Sequence, residues 1–312
     1  MNLRILKWRV AQITFWLNRF RSLPRAKFLF GDVEPGTIVD RSLFGYKFFC
    51  DVSRDGPQRL LFLEGERQIA EAGLVLKLLK PGFHVVDVGA NIGYYVLLFR
   101  KGIGPDGKVV AIEPSPENLP ELWLNVKRNS LDKNVEIIEA AVGAMTGTVG
   151  LQRGINSGIT SDNNAAYVVR LDTLDNLIGG RVDFIKIDVE GFESFVLKGA
   201  TRIISECRPI LFVEIHPVEM QPHGISPIDV VRQLRQFYEN IELYKEPANG
   251  SIFQLALRRY FRVGLVSKVD DIEGYISQVE TNEESTRPFW AVCRPDPSCG
   301  THHPFRSKDN GS

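Results

Sequence analysis

Hydrophobic residues in the middle of the chain form short apolar runs that alternate with amphipathic stretches. The runs FHVVDVG, KVVAIEP, VDFIKIDV and PILFVEI are typical of buried strands, whereas IGYYVLLFRKG and ENLPELWLNVKRNS are typical of helices. Such alternation indicates a mostly parallel sheet with helices on both faces. The pattern therefore predicts a doubly wound α/β domain over residues 81–295.

The pattern differs on either side of this region. Residues 37–52 alternate apolar and polar positions around a Phe-Gly-Tyr turn and predict a hairpin, and residues 64–80 predict a helix that ends before Pro81-Gly82. We therefore expect residues 31–80 to form an N-terminal hairpin and helix. The Pro-, Ser-, Gly- and His-rich end of the chain predicts a flexible tail at residues 296–312.

Weaker features complete the prediction for the α/β domain. Residues 143–170 are polar and lack a regular period, so we expect a loop-rich insertion that covers the site of an acceptor. One helix is predicted over residues 192–205 and another over residues 226–240. Two further strands are expected at residues 251–258 and 289–293.

The composition is that of a globular protein with no specialised bulk property. The chain has 312 residues, of which 44% are hydrophobic and 24% charged, so it can bury a full core without disulfide bonds. Lys+Arg and Asp+Glu balance at 38 each, and no basic face for nucleic acid is expected. The four cysteines form no CxxC pair, which favours a reducing compartment. These features predict a cytoplasmic protein that does not bind nucleic acid.

Residues 1–30 depart from this balance, because they contain seven Lys or Arg and no acidic residue. No uncharged run approaches the length of a membrane span, and no small-residue cleavage site marks a secretory signal. A basic helix with Trp and Phe on one side suits the surface of an anionic membrane, whereas the alternative is a helix packed on the domain. Peripheral attachment to the inner face of a membrane is therefore an open alternative.

The loop after the first predicted strand of the domain, in FHVVDVGANIG, is the most informative segment. Asp87 ends the strand, and Gly89 and Gly93 flank a turn where backbone amides can approach a ligand. In doubly wound sheets, ligands bind beyond the carboxyl ends of the strands. Asn91 and Tyr94 replace the second and third glycines of the dinucleotide fingerprint, which argues against a nicotinamide-dependent oxidoreductase. An Asp before the first glycine suits a ligand with an ammonium group.

The next predicted strand ends in Glu113, 26 positions after Asp87. An acid at this place can accept hydrogen bonds from both hydroxyls of a ribose. Together, the two acids describe a site for S-adenosylmethionine. The alternative is that both carboxylates cap strand ends and bind no ligand.

Several segments carry a resemblance to a known family. FHVVDVGANIGYY, VVAIEPSPENLPELWLNVKRN, RLDTLDNLI, DFIKIDVEGFE and RPILFVEIHP occur in the order found in the FkbM family of S-adenosylmethionine-dependent methyltransferases, which the chain resembles over about residues 60–217. The resemblance implies the class I methyltransferase fold, with a seven-stranded, mostly parallel sheet that includes one antiparallel strand. Here the sheet would carry an N-terminal helix and hairpin extension. The resemblance also implies O-methylation, often of a sugar or polyketide hydroxyl.

Carried over by position, the resemblance implies a set of residues for binding the cofactor. Ala140 and Ala141 would lie beside the adenine. The other cofactor-binding residues would be Asp87, Gly89, Asn91, Gly93 and Glu113.

The later strands bring charged side chains to the open side of the methyl group. By alternation, Lys186, Asp188 and Glu190 share one face if their strand extends that far, and Glu214 and His216 end the neighbouring strand. An alcohol acceptor must lose a proton during methyl transfer, so a base is expected. Asp188 and His216 are the first candidates, followed by Glu190 and Glu214, and Lys186 would hold a carboxylate or orient the acceptor oxygen. We expect Asp188 at the centre of the site, and the choice of base stays open.

Asp188, Glu190, Glu214 and His216 could also hold magnesium or manganese. Because no dedicated ligand spacing appears, the prediction is a site without a metal. The sequence thus predicts an S-adenosylmethionine-dependent O-methyltransferase that acts on a hydroxyl of a glycan or small natural product. The alternative is a membrane-surface interaction protein that retains the fold without turnover.

Overall fold

The fold is that of a computed structural model, which describes residues 33–54, 69–154, 159–160, 165–245, 266–281 and 287–296. The predictions for residues 1–30, for a strand at 251–258 and for the tail beyond residue 296 lie outside the described residues.

The N-terminal hairpin is present. Strands β1 (Ile38–Leu43) and β2 (Tyr46–Asp51) pair in antiparallel fashion around Phe44 and Gly45. Both turn residues have positive φ angles, 55° and 91°, as a two-residue turn that matches the twist of the strands requires. Helix α1 (Ile69–Leu78) is the described part of the helix predicted at residues 64–80.

Strands and helices alternate through the rest of the chain. The remaining strands are β3 (His84–Val88), β4 (Lys108–Ile112), β5 (Val135–Ile138), β6 (Ala141–Val142), β7 (Gly147–Leu151), β8 (Ile159–Thr160), β9 (Tyr167–Asp172), β10 (Phe184–Ile187), β11 (Ile210–Ile215), β12 (Asn240–Lys245), β13 (Ser267–Lys268) and β14 (Phe289–Arg294). The remaining helices are α2 (Tyr94–Ile103), α3 (Leu119–Arg128), α4 (Leu174–Leu177), α5 (Glu193–Lys198), α6 (Thr201–Cys207), α7 (Pro217–Met220), α8 (Pro227–Arg235) and α9 (Ile272–Thr281).

The central sheet has the order β13-β12-β14-β11-β10-β3-β4-β5 among the described residues. Strands β11, β10, β3, β4 and β5 run parallel, and β14 runs antiparallel to both of its neighbours. Seven of these strands form the mostly parallel arrangement expected for a class I methyltransferase, which confirms the predicted fold class. The two-residue strand β13 adds an eighth, antiparallel strand at one edge.

Each face of the central sheet has its own apolar core, because neighbouring residues of a strand point to opposite faces. Val85 of β3 packs in one core together with the hairpin and helices α1, α2 and α3. Val86 and Val88 pack in the other core with helices α5, α6, α8 and α9. Helices therefore cover both faces, and the carboxyl ends of the parallel strands are left to form a site.

The prediction of a loop-rich insertion at residues 143–170 is wrong. Strands β7, β8 and β9 join β6 in a second, four-stranded sheet with the order β6-β9-β7-β8. Along β9, intermediate and exposed positions alternate, so the strand has one half-covered face and lacks the apolar run that marks a buried strand.

The helix predicted over residues 192–205 is two helices, α5 and α6, separated at Gly199. A Cβ atom at Gly199 would lie 2.0 Å from the backbone oxygen of Gly143, so only glycine allows this close approach.

Helix α3 fastens the hairpin to the domain. The Asn125 side chain bonds both the N–H and the C=O of Phe49, at 2.7 and 2.9 Å, and its amide also donates to the backbone oxygen of Ile92. One turn further, Asn129 bonds both backbone groups of Lys47. These two amide side chains thus make the hydrogen bonds to the backbone of β2 that a neighbouring strand would otherwise make.

Among the described residues, every helix is too short or too polar to span a lipid bilayer.

Candidate functional site

The turn between β3 and α2 brings the backbone very close to the loop after β10. Gly89 has a φ of 86°, and a Cβ atom on it would lie 1.9 Å from the backbone oxygen of Asp188. Gly93, with a φ of 91°, precedes the first residue of α2. Asn91 between them also has a positive φ, 51°. Both predicted glycines are therefore favoured by their backbone conformation, and Gly89 is also required by the space available.

Asp87, on β3 directly before this turn, is fully buried. Neither of its carboxylate oxygens has a hydrogen-bond partner among the described residues. The nearest cation is Lys186, whose Nζ lies 3.8 Å from Oδ1. Burial raises the pKa of Asp87 to about 6, and the charge of Lys186 opposes the shift. Because a buried carboxylate without partners is costly, this arrangement fits a ligand that brings a positively charged donor.

Glu113, which follows β4, is also buried but is held by several donors. Its Oε2 accepts a hydrogen bond from the backbone N–H of Asn91 at 2.8 Å. Its Oε1 accepts from the backbone N–H of Ser115 at 2.9 Å and from the side chain of Asn118 at 3.2 Å. Burial raises the pKa of Glu113 to about 7, although these hydrogen bonds lower it in part. The carboxylate is thus fixed in orientation beside the glycine turn.

Ala140 and Ala141 lie at the carboxyl end of the next strand, β5, and both are buried. Ile138, the last residue of β5, accepts a backbone hydrogen bond from Glu113. Ala141 begins β6 and belongs to the small sheet, where it pairs with Leu171. The structure thus gathers the predicted cofactor-binding residues along the ends of three neighbouring strands.

Lys186 of β10 connects this group to the second set of predicted residues. Its Nζ lies 2.8 Å from Oδ2 of Asp188 and 4.4 Å from the centre of the Tyr95 ring. Burial alone would lower the pKa of Lys186, but the charges of Asp188, Asp87 and Glu214 outweigh burial and raise the pKa. The amine therefore carries a full charge between two carboxylates.

Strand β10 ends at Ile187, so Asp188 and Glu190 lie in the following loop. The condition under which they would share a strand face with Lys186 is therefore not met. Glu190 has a φ of 50°, a left-handed conformation that turns the chain back. The loop nevertheless keeps both carboxylates near His216.

His216, after β11, is buried and faces four carboxylates. Its Nδ1 lies 2.7 Å from Oε1 of Glu193. Its Nε2 lies 3.7 Å from both Asp188 and Glu190 and 3.8 Å from Glu214. Burial lowers the pKa of His216, but the Glu193 hydrogen bond and the surrounding negative charges outweigh burial and raise the pKa to about 10. In this arrangement the imidazole is positively charged at neutral pH.

The three acids beside Nε2 of His216 differ in their surroundings. Burial raises the pKa of Glu190 and of Glu214 to about 7. Burial also acts to raise the pKa of Asp188, but the charges of Lys186 and His216 prevail and lower it. Oε2 of Glu214 and the indole nitrogen of Trp290 make no hydrogen bond of ordinary geometry within the described residues, but Trp290, which is paired with Glu214 in the sheet, lies near enough to lower the pKa of Glu214.

All five predicted catalytic residues therefore converge, and three of them form a potential ligand set. One atom each from Asp188, Glu214 and His216 lies within 4.8 Å of the others. The absence of a metal stays a prediction. Chemically, the cluster can take up a proton, orient a hydroxyl group or bind a cation.

Two residues of the site were not predicted. Glu193 binds His216, and Tyr95 lies under Lys186. The sequence does contain a signal for Glu193, because it is on the face of α5 that buries Val196 and Leu197, three and four residues later. An acid on the apolar face of a helix needs a buried partner. For Tyr95 we find no comparable signal, since aromatic residues are common on buried helix faces.

The chain is similar in sequence to known methyltransferases. Residues 87–240 match the model of the methyltransferase FkbM domain. The chain is 27% identical to the methyltransferase sdnD of Sordaria araneosa, with 46% of this chain and 68% of that protein covered. It is 25% identical to the hexuronic acid methyltransferase AglP of Haloferax volcanii, with 60% and 75% covered.

A solved structure of methyltransferase FkbM from Methylobacillus flagellatus KT is similar with a TM-score of 0.42 and 23% identity. The similarity covers 53% of this chain and 40% of that one. The chain thus spans less than half of that neighbour. Through its residues 87–240, this chain belongs to the FkbM family of methyltransferases.

Proposed function

We propose that this methyltransferase uses S-adenosylmethionine to methylate a hydroxyl group of a glycan or small natural product. The observation that carries the proposal is the pair of buried acids around the glycine turn. Both carboxylate oxygens of Asp87 lack hydrogen-bond donors among the described residues, whereas Glu113 is oriented by backbone and side-chain donors. An amino acid joined to a nucleoside offers an ammonium group and two ribose hydroxyls, which match these two acids.

S-Adenosylmethionine supplies a methyl group on a positively charged sulfur. In the proposed complex, Asp87 binds the ammonium group and Glu113 accepts hydrogen bonds from the ribose. Gly89 and Gly93, both with positive φ angles, hold the turn beside these two acids. The small buried side chains of Ala140 and Ala141 leave room beside the adenine.

Asp188 is the central residue on the acceptor side, because it contacts Lys186 and faces His216 while its side chain is 24% exposed. During transfer, a bond forms between the acceptor oxygen and the methyl carbon, and the carbon–sulfur bond breaks with its electron pair left on sulfur. The hydroxyl proton passes to the Asp188 carboxylate, directly or through water. His216, already positively charged, would orient the acids and would not serve as the base.

The sugar part of the proposal follows one relative, which is named as a hexuronic acid methyltransferase. The acidic cluster suits a neutral acceptor that carries hydroxyl groups better than one that carries negative charges. Peripheral membrane contact through residues 1–30 stays a prediction.

Cofactor binding is tested by calorimetry with S-adenosylhomocysteine and with NADH. We expect saturable binding of S-adenosylhomocysteine alone. Glu113→Ala should weaken it by about 1.5–3 kcal/mol, which is roughly 10- to 150-fold, because a charged acceptor is lost. Glu136→Ala, which removes an exposed acid on β5, is the matched control and should bind as the wild type does. Absence of binding by the folded protein, or preferential binding of NADH, would overturn the proposal.

Methyl transfer is tested with labelled S-adenosylmethionine and a panel of neutral glycans, uronic acids and hydroxylated natural products. An O-methyl ether survives mild alkali, whereas a methyl ester is hydrolysed, so the treatment separates hydroxyl from carboxyl acceptors. Asp188→Asn should reduce transfer by about 100-fold or more while S-adenosylhomocysteine still binds. Label that is lost completely in alkali would contradict a hydroxyl acceptor.

A further inference from the structure

We propose that Asp188, Glu214 and Nε2 of His216 bind one divalent cation of the Mn²⁺ class. The three residues come from the loop after β10 and from the end of β11, on the acceptor side of the site. The binding site itself does not depend on the proposed function. Its role in catalysis, which is to activate the acceptor oxygen, rests on that function.

The distances around Nε2 of His216 fit a central ion better than direct contacts. Nε2 is 3.7 Å from Asp188 and 3.8 Å from Glu214, which is too long for hydrogen bonds. Oxygen and nitrogen ligands lie about 2.1 Å from such an ion, so two ligands of one ion are about 3.0–4.2 Å apart. The three ligand atoms all lie within 4.8 Å of one another. Small side-chain rotations would therefore complete the coordination.

The second nitrogen of His216 is held as it is in metal sites. Nδ1 lies 2.7 Å from the fully buried Glu193, which also accepts the backbone N–H of Gly191. Metal-binding histidines commonly donate their other ring N–H to a carboxylate, which fixes the tautomer and aims the free nitrogen. With Glu193 as acceptor at Nδ1, the nitrogen that faces an ion is Nε2, which must release its proton when the ion binds.

Glu214 provides independent evidence that the cluster has an unfilled partner. The residue is 5% exposed, and its Oε2 has no hydrogen bond of ordinary geometry within the described part of the chain, where the Trp290 side chain is its neighbouring donor. Its Oε1 points toward His216 at 3.8 Å. A buried carboxylate oxygen without a donor is costly unless a cation or a ligand supplies the missing interaction.

The net charge of the cluster also favours a bound cation. Five carboxylates meet here, whereas one lysine and one histidine are the cations paired with them among residues that the structure describes. The acids are Asp87, Asp188, Glu190, Glu193 and Glu214, and the cations are Lys186 and His216. Binding of an ion through Nε2 requires a neutral imidazole, so with the other groups ionised the cluster has four excess negative charges, and a divalent ion would remove two of them.

The donor set indicates the class of ion. One imidazole and two carboxylates suit Mn²⁺ and similar first-row ions better than Mg²⁺, which prefers oxygen ligands alone. Three protein ligands leave coordination positions open for water or for the acceptor hydroxyl. An ion bound there would stabilise the negative charge that develops on the acceptor oxygen as its proton leaves.

Binding is tested with the full chain, prepared without an affinity tag and stripped of metal. Mn²⁺ is titrated in, and the free aqueous ion is followed by electron paramagnetic resonance. We expect one bound Mn²⁺ per chain. The spin echo of the bound ion should show modulation from a directly coordinated imidazole nitrogen, which requires no variant. Parallel titrations with Mg²⁺ should give weaker binding.

Variants locate the ion. Glu214→Gln and His216→Gln should weaken Mn²⁺ binding at least about 100-fold, and Glu193→Gln about tenfold, because the last change affects only the carboxylate that positions His216. Glu219→Gln is the matched control, since Glu219 is exposed and follows His216 by three residues. It should bind Mn²⁺ as the wild type does.

Circular dichroism and S-adenosylhomocysteine binding check that each variant is folded. The proposal is overturned if the folded wild type has no saturable Mn²⁺ site, if the bound ion shows no nitrogen coupling, or if Glu214→Gln and His216→Gln bind as the control does. Saturable Mn²⁺ binding without S-adenosylhomocysteine binding would leave the cation site standing and refute the cofactor. The reverse result would refute the cation site alone.

Discussion

Glu113 and Glu214 are both at the carboxyl ends of strands in the central sheet, and both are 5% exposed. Burial raises the pKa of each to about 7. They differ in their hydrogen bonds. Glu113 receives donors on both oxygens, two of them from the backbone. Glu214 has one oxygen without a partner and the other 3.8 Å from His216.

The difference shows that burial alone does not define what a carboxylate binds. The donors around Glu113 fix its orientation before any ligand arrives, which suits recognition of hydroxyl groups by geometry. Around Glu214 lie another acid, Lys186 and the imidazole of His216, and the further partner that we propose for its carboxylate is a divalent cation. Two glutamates with the same exposure thus serve as a preorganised acceptor and as a proposed cation ligand.

The largest effect should come from disrupting the turn between β3 and α2, which contacts Glu113 through Asn91 and lies against Asp188 at Gly89. Gly89→Ala would place a Cβ atom 1.9 Å from the backbone oxygen of Asp188 and would strain a φ of 86°. We expect the free energy of unfolding to fall by about 3 kcal/mol or more. Binding of both S-adenosylhomocysteine and Mn²⁺ should be lost. Chemical denaturation and calorimetry measure these effects.

Gly180→Ala is the control for backbone strain alone. Gly180 has a φ of 76°, but nothing lies within 4 Å of the added Cβ atom. The variant should lose about 1–2 kcal/mol of stability and keep both binding activities. An equal loss of stability in the two variants would show that the contact with Asp188 does not matter.

A smaller effect should come from the titration of Glu113, which should make the affinity for S-adenosylhomocysteine depend on pH. Its pKa is raised by burial, so the ligand-free protein keeps the proton up to about pH 7, whereas an unfolded glutamate releases it near 4.5. The stability contributed by the protonated acid is present at low pH and is lost as the pH rises toward 7. The carboxylate form accepts the ribose hydroxyls. Affinity for S-adenosylhomocysteine should therefore increase about tenfold between pH 6 and pH 8.

Glu113→Gln should remove most of this pH dependence, because the side chain keeps its shape and no longer titrates. Calorimetry at several pH values measures the change. A variant with the full wild-type slope would assign the dependence to another group.

The smallest effect should come from making Glu113 more like Glu214. Asn118→Ala removes one donor from Oε1, a hydrogen bond of 3.2 Å. S-Adenosylhomocysteine should bind a few-fold more weakly, as expected for about 0.5–1.5 kcal/mol. Asn134→Ala, which removes hydrogen bonds to Pro105 and Gly107 on another loop, is the control. If both variants bind alike, the donor from Asn118 has no part in preorganisation.

Local pattern and family resemblance predicted most of the parallel sheet and the convergence of the site residues. The strands of this sheet are buried on both faces and alternate with helices, so their order is evident in the sequence. The loop after β10 could not be predicted from alternation, because the left-handed turn at Glu190 depends on close packing, with Gly191 against the backbone of Glu219. The small sheet was missed because β9 is half-exposed.

Electrostatic details were beyond the sequence for a different reason. The positive charge of His216 depends on Glu193, which is 23 residues away in the chain and belongs to another element. The unpartnered oxygens of Asp87 and Glu214 are visible only when every neighbour has been placed. Residue type and order predicted which groups meet, and three-dimensional packing determined their charge states.

The hydrogen bonds from Asn125 and Asn129 of α3 to the hairpin limit where the chain can be cut without loss of stability. The side chain of Asn125 forms hydrogen bonds both with Phe49 of the hairpin and with Ile92 in the turn between β3 and α2. A protein trimmed to begin at residue 81 would leave this buried amide and the neighbouring Asn129 without their hairpin partners. Hairpin and sheet should therefore melt in a single transition. We therefore expect the smallest autonomous folding unit to be larger than the family-matched region and to include the hairpin.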